Sequence, residues 1–236
     1  MMLWQEETDN QGFVIPDEIV DLSFELSGRS LPVDHAHGLS TALLQVLPWL
    51  DDEPRAGIHL IHVAASGNGW FRPEHGEEQC LYLSRRTKLT LRIPKERVDD
   101  ARALTGTGID VQGHALLIGK ATVKPLSSLG TLLARYCVSD ADDDEDRFLQ
   151  RMVEELAGMG IRVRKALCGK SLVFRMPDGP LHVRSLMLAD LSPQEAVQLQ
   201  QRGLGPGRKI GCGLFIPHKG IDPIKKPEDD ASSRRE

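Results

Sequence analysis

The chain has 236 residues, 40% hydrophobic and 27% charged, with a formal net charge of −5; this is a globular composition with room for one large domain or two of about 100 residues. It lacks any apolar run of the roughly 18 to 20 residues that span a bilayer, and its polar, acidic first ten residues are unlike a secretory signal. Cys80, Cys137, Cys168 and Cys212 form no CxxC pair, which argues against a zinc site or a disulfide framework and for a soluble, cytoplasmic protein.

Along the chain, Val20, Leu22, Phe24 and Leu26 alternate with polar residues, the period of a half-buried strand. Leu39, Ala42, Leu43, Val46, Leu47 and Leu50 then fall at helical spacing, and Asp34 is the expected N-cap of that helix. Residues 58–65 read as a buried strand ending at the turn signal of residues 66–69. Residues 81–93 read as one long strand, with Leu89, Leu91 and Ile93 on one face. Pro94 opens a short helix closed at Gly106, and residues 109–123 supply further strand. The order is β-α-β-β-α-β, the ferredoxin-like unit.

The second half repeats this order. Residues 132–138 form a strand, and the acidic run of residues 140–146 leads into a helix carrying Phe148, Met152 and Leu156, where acid in the first turn favours the helix dipole. Residues 161–166, 170–176 and 182–188 read as three strands. Ser192, Pro193 and Glu195 make a capping box for another helix, and residues 212–216 form the last strand. The fold class is α+β, two tandem ferredoxin-like (βαββαβ) units. Their expected bounds are 18–126 and 127–226, with an N-terminal segment at 1–17 and a polar tail at 227–236.

Charge is unevenly spread. Acid gathers at residues 6–21, 140–146 and 228–230; base gathers at Arg85, Arg86, Lys88 and Arg92, and again over residues 202–226. In the second basic block, Gly203, Gly205, Gly207, Gly211 and Gly213 surround Arg208 and Lys209, with His218 and Lys219 close behind. Glycine lets a backbone approach a polyanion closely, and arginine and lysine supply charge for phosphate, so this loop reads as a grip on a nucleic-acid backbone. Few aromatic residues are present and none are interleaved on a central strand, which favours recognition by charge and shape over base stacking.

Among the histidines, His35 and His37 stand at the start of the first helix. A helix N-terminus disfavours imidazolium, so a histidine there suits the work of a general base. Both also read as ordinary polar residues of a connecting loop. His59 and His62 lie in an apolar strand and read as structural; His75, His114 and His182 have no distinctive sequence context, and His218, beside the basic loop, reads as a phosphate contact or a second acid. The motifs GxxxxGK[ST], GxSxG and HExxH are all absent.

Three stretches, GLGPGRKIGCGLFIPHKGI, VDLSFELSGRSLPVDHAHGLSTAL and LSRRTKLTLRIP, together resemble the CRISPR repeat-processing endoribonucleases of the RAMP superfamily, closest to the subgroup of MYXAN-type systems. The resemblance runs over residues 19–221. It implies cleavage of precursor crRNA within each repeat, by attack of a ribose 2′-hydroxyl to give a 2′,3′-cyclic phosphate, with no metal or other cofactor. It places the catalytic base on His35 or His37, with His35 favoured because it directly follows Asp34, and leaves the second catalytic group open. Lys209, Arg208 or the Arg85–Arg86 pair would stabilise the transition-state charge. The implied RNA-binding set is Arg85, Arg86, Lys88, Gly203, Gly205, Gly207, Arg208, Lys209, Gly211, Gly213, His218 and Lys219. Implied partners are precursor and mature crRNA, which stays bound, and other subunits of a CRISPR effector complex. The second reading is a non-cleaving crRNA-binding subunit of an effector complex, which the same basic loop and tandem fold would serve.

Overall fold

The structure is a computed structural model and describes residues 13–63 and 79–218. In chain order the first unit comprises β1 (Ile19–Gly28), β2 (Ser30–Pro32), α1 (Ala36–Val46), α2 (Trp49–Asp52), β3 (Gly57–His59), β4 (Cys80–Tyr82), β5 (Lys88–Pro94), α3 (Val98–Ala101), β6 (Gly108–Val111) and β7 (His114–Lys124). The second comprises β8 (Leu132–Val138), α4 (Glu145–Gly158), β9 (Lys165–Met176), β10 (Gly179–Ala189), α5 (Pro193–Arg202) and β11 (Phe215–Pro217).

The first sheet has the order β3-β5-β1-β7-β6, and the second β11-β8-β10-β9, with every neighbouring pair antiparallel. Both contain the ferredoxin-like arrangement, in which the first strand of a unit lies between its third and fourth. The first sheet adds β6 as an edge strand, and β2 and β4 form a separate two-stranded ribbon. Among the described residues no helix is long and apolar enough to cross a membrane.

Alternation carries the strands into place. Leu22, Phe24, Leu89 and Leu91 are wholly buried under Leu39 and Leu43 of α1. A second core of Leu132, Phe148, Met152, Leu156, Leu186, Leu199 and Phe215 lies between the second sheet and its helices. The units also share apolar contacts, because Tyr136, Phe174, Val183 and Cys212 belong to the first core. Asp144 caps α4 by accepting the N–H of Arg147 at 2.8 Å, and Ser192 and Glu195 complete the capping box of α5.

Several expectations need correction. Residues 81–93 are two strands, because Ser84 and Thr87 close a turn: Thr87 N–H donates to Ser84 O at 2.9 Å and Ser84 N–H to Thr87 Oγ1 at 3.0 Å. Residues 161–164 precede β9 and form no strand of their own; Ile161 N–H instead closes the end of α4 on Leu156 O. Residues 165–176 make one continuous strand rather than two. Pro48 ends the first helical run, so Leu50 lies in α2; of the strand expected at 58–65 only Gly57–His59 forms as β3, residues 60–63 are not strand, and residues 64–65 lie outside the described residues. Asp34 caps no helix: its Oδ2 accepts the N–H of Arg175 in β9 at 2.8 Å, tying the second unit to the segment before α1.

Candidate active site and nucleic-acid interface

The segment between β2 and α1 positions both candidate histidines, and the structure separates them. His35 is 2% exposed. Its Nδ1 lies 2.8 Å from Pro32 O and 3.2 Å from Val33 O, and its Nε2 accepts the N–H of Ile61 at 3.1 Å. Two carbonyls on one side require Nδ1–H, and a backbone N–H on the other requires a lone pair at Nε2. The ring is therefore a neutral clip inside the fold, with both nitrogens occupied, which contradicts its preferred place as the catalytic base. His37, one residue into α1, is half-buried, and its ring has no hydrogen bond among the described residues. It is the more exposed member of the pair.

The glycine-rich loop is as unusual as its sequence suggests, but its cations turn inward. Arg208 Nη2 donates to Arg55 O at 2.8 Å, and Nε lies 3.4 Å from Ala56 O. Lys209 Nζ donates to Glu53 O and to Ala56 O, the latter at 3.0 Å. These bonds clamp the loop of the second unit to the stretch between α2 and β3. Burial, then the neighbouring Arg92, lowers the Arg208 guanidinium to about 10; burial, then Arg208, lowers the Lys209 ammonium. Both side chains are half-buried with their bonded donors turned to carbonyls of the first unit, a geometry that accounts for them as ties between the units rather than as the phosphate and catalytic groups expected of them.

Gly203, Gly205, Gly207, Gly211 and Gly213 all have positive φ. A Cβ on Gly213 would stand 2.1 Å from Leu204 O, and one on Gly211 would stand 2.5 Å from Leu60 Cγ, so close packing between and within the units explains those two glycines. Gly203, Gly211 and Gly213 are buried, whereas Gly205 and Gly207 are half-exposed. His218 is half-exposed just after β11, and Lys219 lies outside the described residues. The other expected cations face outward. Arg85 and Arg86 are exposed in the Ser84–Thr87 turn without an ion pair among the described residues, and Lys88 lies 3.8 Å from Glu25.

Arg92, counted by sequence among the surface cations, is wholly buried. Its Nε and Nη2 donate to the two oxygens of Asp21, each at 2.8 Å, and Nη1 donates to Gln200 O at 3.1 Å and Phe215 O at 2.7 Å. The sequence reading missed this pair. The signal available was one acid and one base on the polar sides of two central strands that lie opposite in register. Beside it, a cleft of about 270 Å³ between the units is lined by Asp21, His59, His62, Lys124, Arg135 and Tyr136, among others. Burial raises the Asp21 carboxyl, but Arg92 and His59 outweigh it and hold it below the usual range; burial lowers the His59 imidazole.

Sequence and fold comparisons agree with this architecture. A family model described as Cas6 Crispr matches residues 20–220. A Myxococcus xanthus (strain DK1622) protein, the CRISPR-associated endonuclease Cas6, is 28% identical over 198 residues, 84% of this chain and 81% of that protein. A solved CRISPR-associated protein Cas6 superposes with a TM-score of 0.58 at 12% identity, covering 86% of this chain and 100% of the other. A Cas6-related protein from Pyrococcus furiosus gives 0.56 at 11% identity, covering 84% and 97%. With the match extending over both ferredoxin-like units, the chain belongs to the Cas6 CRISPR family.

Proposed function

We propose that this protein is an endoribonuclease that binds the repeat of precursor CRISPR RNA, cuts once within it and retains the product. The observation that carries the reading is the family match over residues 20–220, supported by the Myxococcus relative named as a CRISPR-associated endonuclease. A further structure of the same fold, at TM-score 0.55 and 11% identity, is described as a RAMP protein binding different RNA substrates.

In this reading neutral His37 removes the proton of the ribose 2′-hydroxyl beside the scissile phosphate. The 2′-oxygen attacks phosphorus in line, the bond to the 5′-oxygen breaks, and the products are a 2′,3′-cyclic phosphate and a 5′-hydroxyl. The nucleophile belongs to the substrate, so the scheme requires no metal. Exposed Arg85 and Arg86, with Lys88, supply phosphate contacts, and Arg208 and Lys209 hold the units together.

The test is incubation of purified protein with end-labelled repeat RNA. Cleavage should persist in excess chelator and cease when the 2′-hydroxyl at the cut site is replaced by hydrogen. Cleavage that depends on added magnesium, or that proceeds on the 2′-deoxy substrate, would refute the mechanism.

A further inference from the structure

The β6–β7 hairpin brings a third histidine to the start of α1. Its turn is two residues long, Gln112 (φ 55°) and Gly113 (φ 84°), the conformation of a tight hairpin turn. The Gln112 side chain lies over the first turn of α1: a Cβ built on Gly38, the residue after His37, would stand 2.8 Å from Gln112 Cγ. His114 follows the turn directly and pairs across the ladder with Val111. Residues opposite one another in an antiparallel pair share a face of the sheet. Val111 is wholly buried in the core that also holds Leu39 of α1, so His114 lies on the α1 side of the sheet.

The ring of His114 is held by one nitrogen. Nδ1 lies 3.1 Å from Oγ of Ser30, in β2, the strand that leads into the His35–His37 segment. Nε2 has no hydrogen bond among the described residues, and the side chain is half-exposed. His37 and His114 are thus two half-exposed imidazoles, one on α1 and the other on the hairpin packed against that helix. One is fixed at Nδ1 by a hydroxyl, with its far nitrogen available.

We propose that His114 is the second catalytic group, the general acid that protonates the leaving 5′-oxygen, with Ser30 as the residue that orients it. The assignment rests on the nuclease reading above. In its protonated form His114 donates Nδ1–H to Ser30 Oγ and offers Nε2–H to the leaving oxygen. As His37 takes the 2′-hydroxyl proton and the 2′-oxygen bonds to phosphorus, the bond from phosphorus to the 5′-oxygen breaks and that oxygen takes the Nε2 proton. One proton is gained at His37 and one is lost at His114, and exchange with water restores both.

A substrate whose bridging 5′-oxygen is replaced by sulfur isolates this step, because a thiolate leaves without protonation. On all-oxygen repeat RNA, His114→Ala should slow cleavage about 100-fold or more at unchanged RNA affinity. On the 5′-thio RNA it should cleave at the wild-type rate, whereas His37→Ala should remain slow on both. His114→Gln, which can keep a hydrogen bond to Ser30 and cannot act as an acid, should behave like His114→Ala. An equal loss on both RNAs, or no loss on either, would overturn the assignment. Wild-type protein that cuts neither RNA would instead refute the nuclease reading, and the assignment with it.

Discussion

Nη1 of Arg92 donates to the carbonyl of Phe215 at 2.7 Å, so an arginine on a central strand of the first sheet is bonded to the last strand of the second. The same guanidinium holds both oxygens of Asp21 and the carbonyl of Gln200. Charge burial of this kind is tolerable only when every partner is present.

Removing one partner should therefore be costly. Arg92→Met strips the half-buried Asp21 carboxylate of its guanidinium partner, leaving only His59 Nε2 at 3.6 Å beside it, and should destabilise the protein by about 3–5 kcal/mol in denaturant unfolding. Asp21→Asn in the same chain removes the unpaired charge and should restore part of the loss. A single variant as stable as wild type would contradict the description of this contact.

Exposed cations and those bonded across the units should separate in salt titrations of RNA binding. Arg85→Ala and Arg86→Ala should each flatten the dependence of log affinity on log salt by about 0.7–0.9, one released counterion apiece. Arg208→Ala and Lys209→Ala should lower the melting temperature, because the carbonyls of Glu53, Arg55 and Ala56 lose donors, and should leave that slope nearly unchanged. The opposite pattern would return the glycine-rich loop to the role of phosphate grip.

Most of the fold was legible because the signals were local. Alternation at Val20–Leu26 and the helical spacing from Leu39 are properties of neighbouring residues, and so is the Ser192–Glu195 box. The break inside residues 81–93 was hidden because Leu81, Leu83, Leu89, Leu91 and Ile93 keep the same odd-numbered register on both sides of the turn. The site was less legible because its partners are remote. Asp34 looks like a cap until Arg175 comes to it, and His114 has no context until Ser30 lies beside it. For Arg208 and Lys209 the sequence shows the charge but not the direction in which it points, and glycines required by positive φ resemble glycines required by a ligand.

Acid should act on the interface between the units through His59. Asp21 Oδ1 lies 3.6 Å from its Nε2, with Arg92 and Arg208 nearby, and burial is the leading reason its imidazole titrates below the ordinary 6.5. With the folded value depressed, the unfolded chain binds this proton first, so stability is full above pH 6.5 and declines as pH falls below it. The decline levels off once pH passes the folded value. Asp21 titrates below its ordinary 3.8 and adds its own loss only in stronger acid. The melting temperature should fall between pH 7.5 and 5, and His59→Phe should make that fall shallower. An unchanged slope would show that His59 is not the group responsible.

The most direct test of the account compares the two neighbouring histidines in single-turnover cleavage of labelled repeat RNA, with melting temperatures measured in parallel. His37→Ala should lose roughly 100-fold to 10,000-fold in rate at an unchanged melting temperature, the scale of a missing general base. His35→Ala, which empties an interior position bonded to Pro32, Val33 and Ile61, should show a lowered melting temperature and retain cleavage that depends on His37. A His37→Ala protein that cuts at the wild-type rate, or a His35→Ala protein that is fully stable and inert, would contradict it.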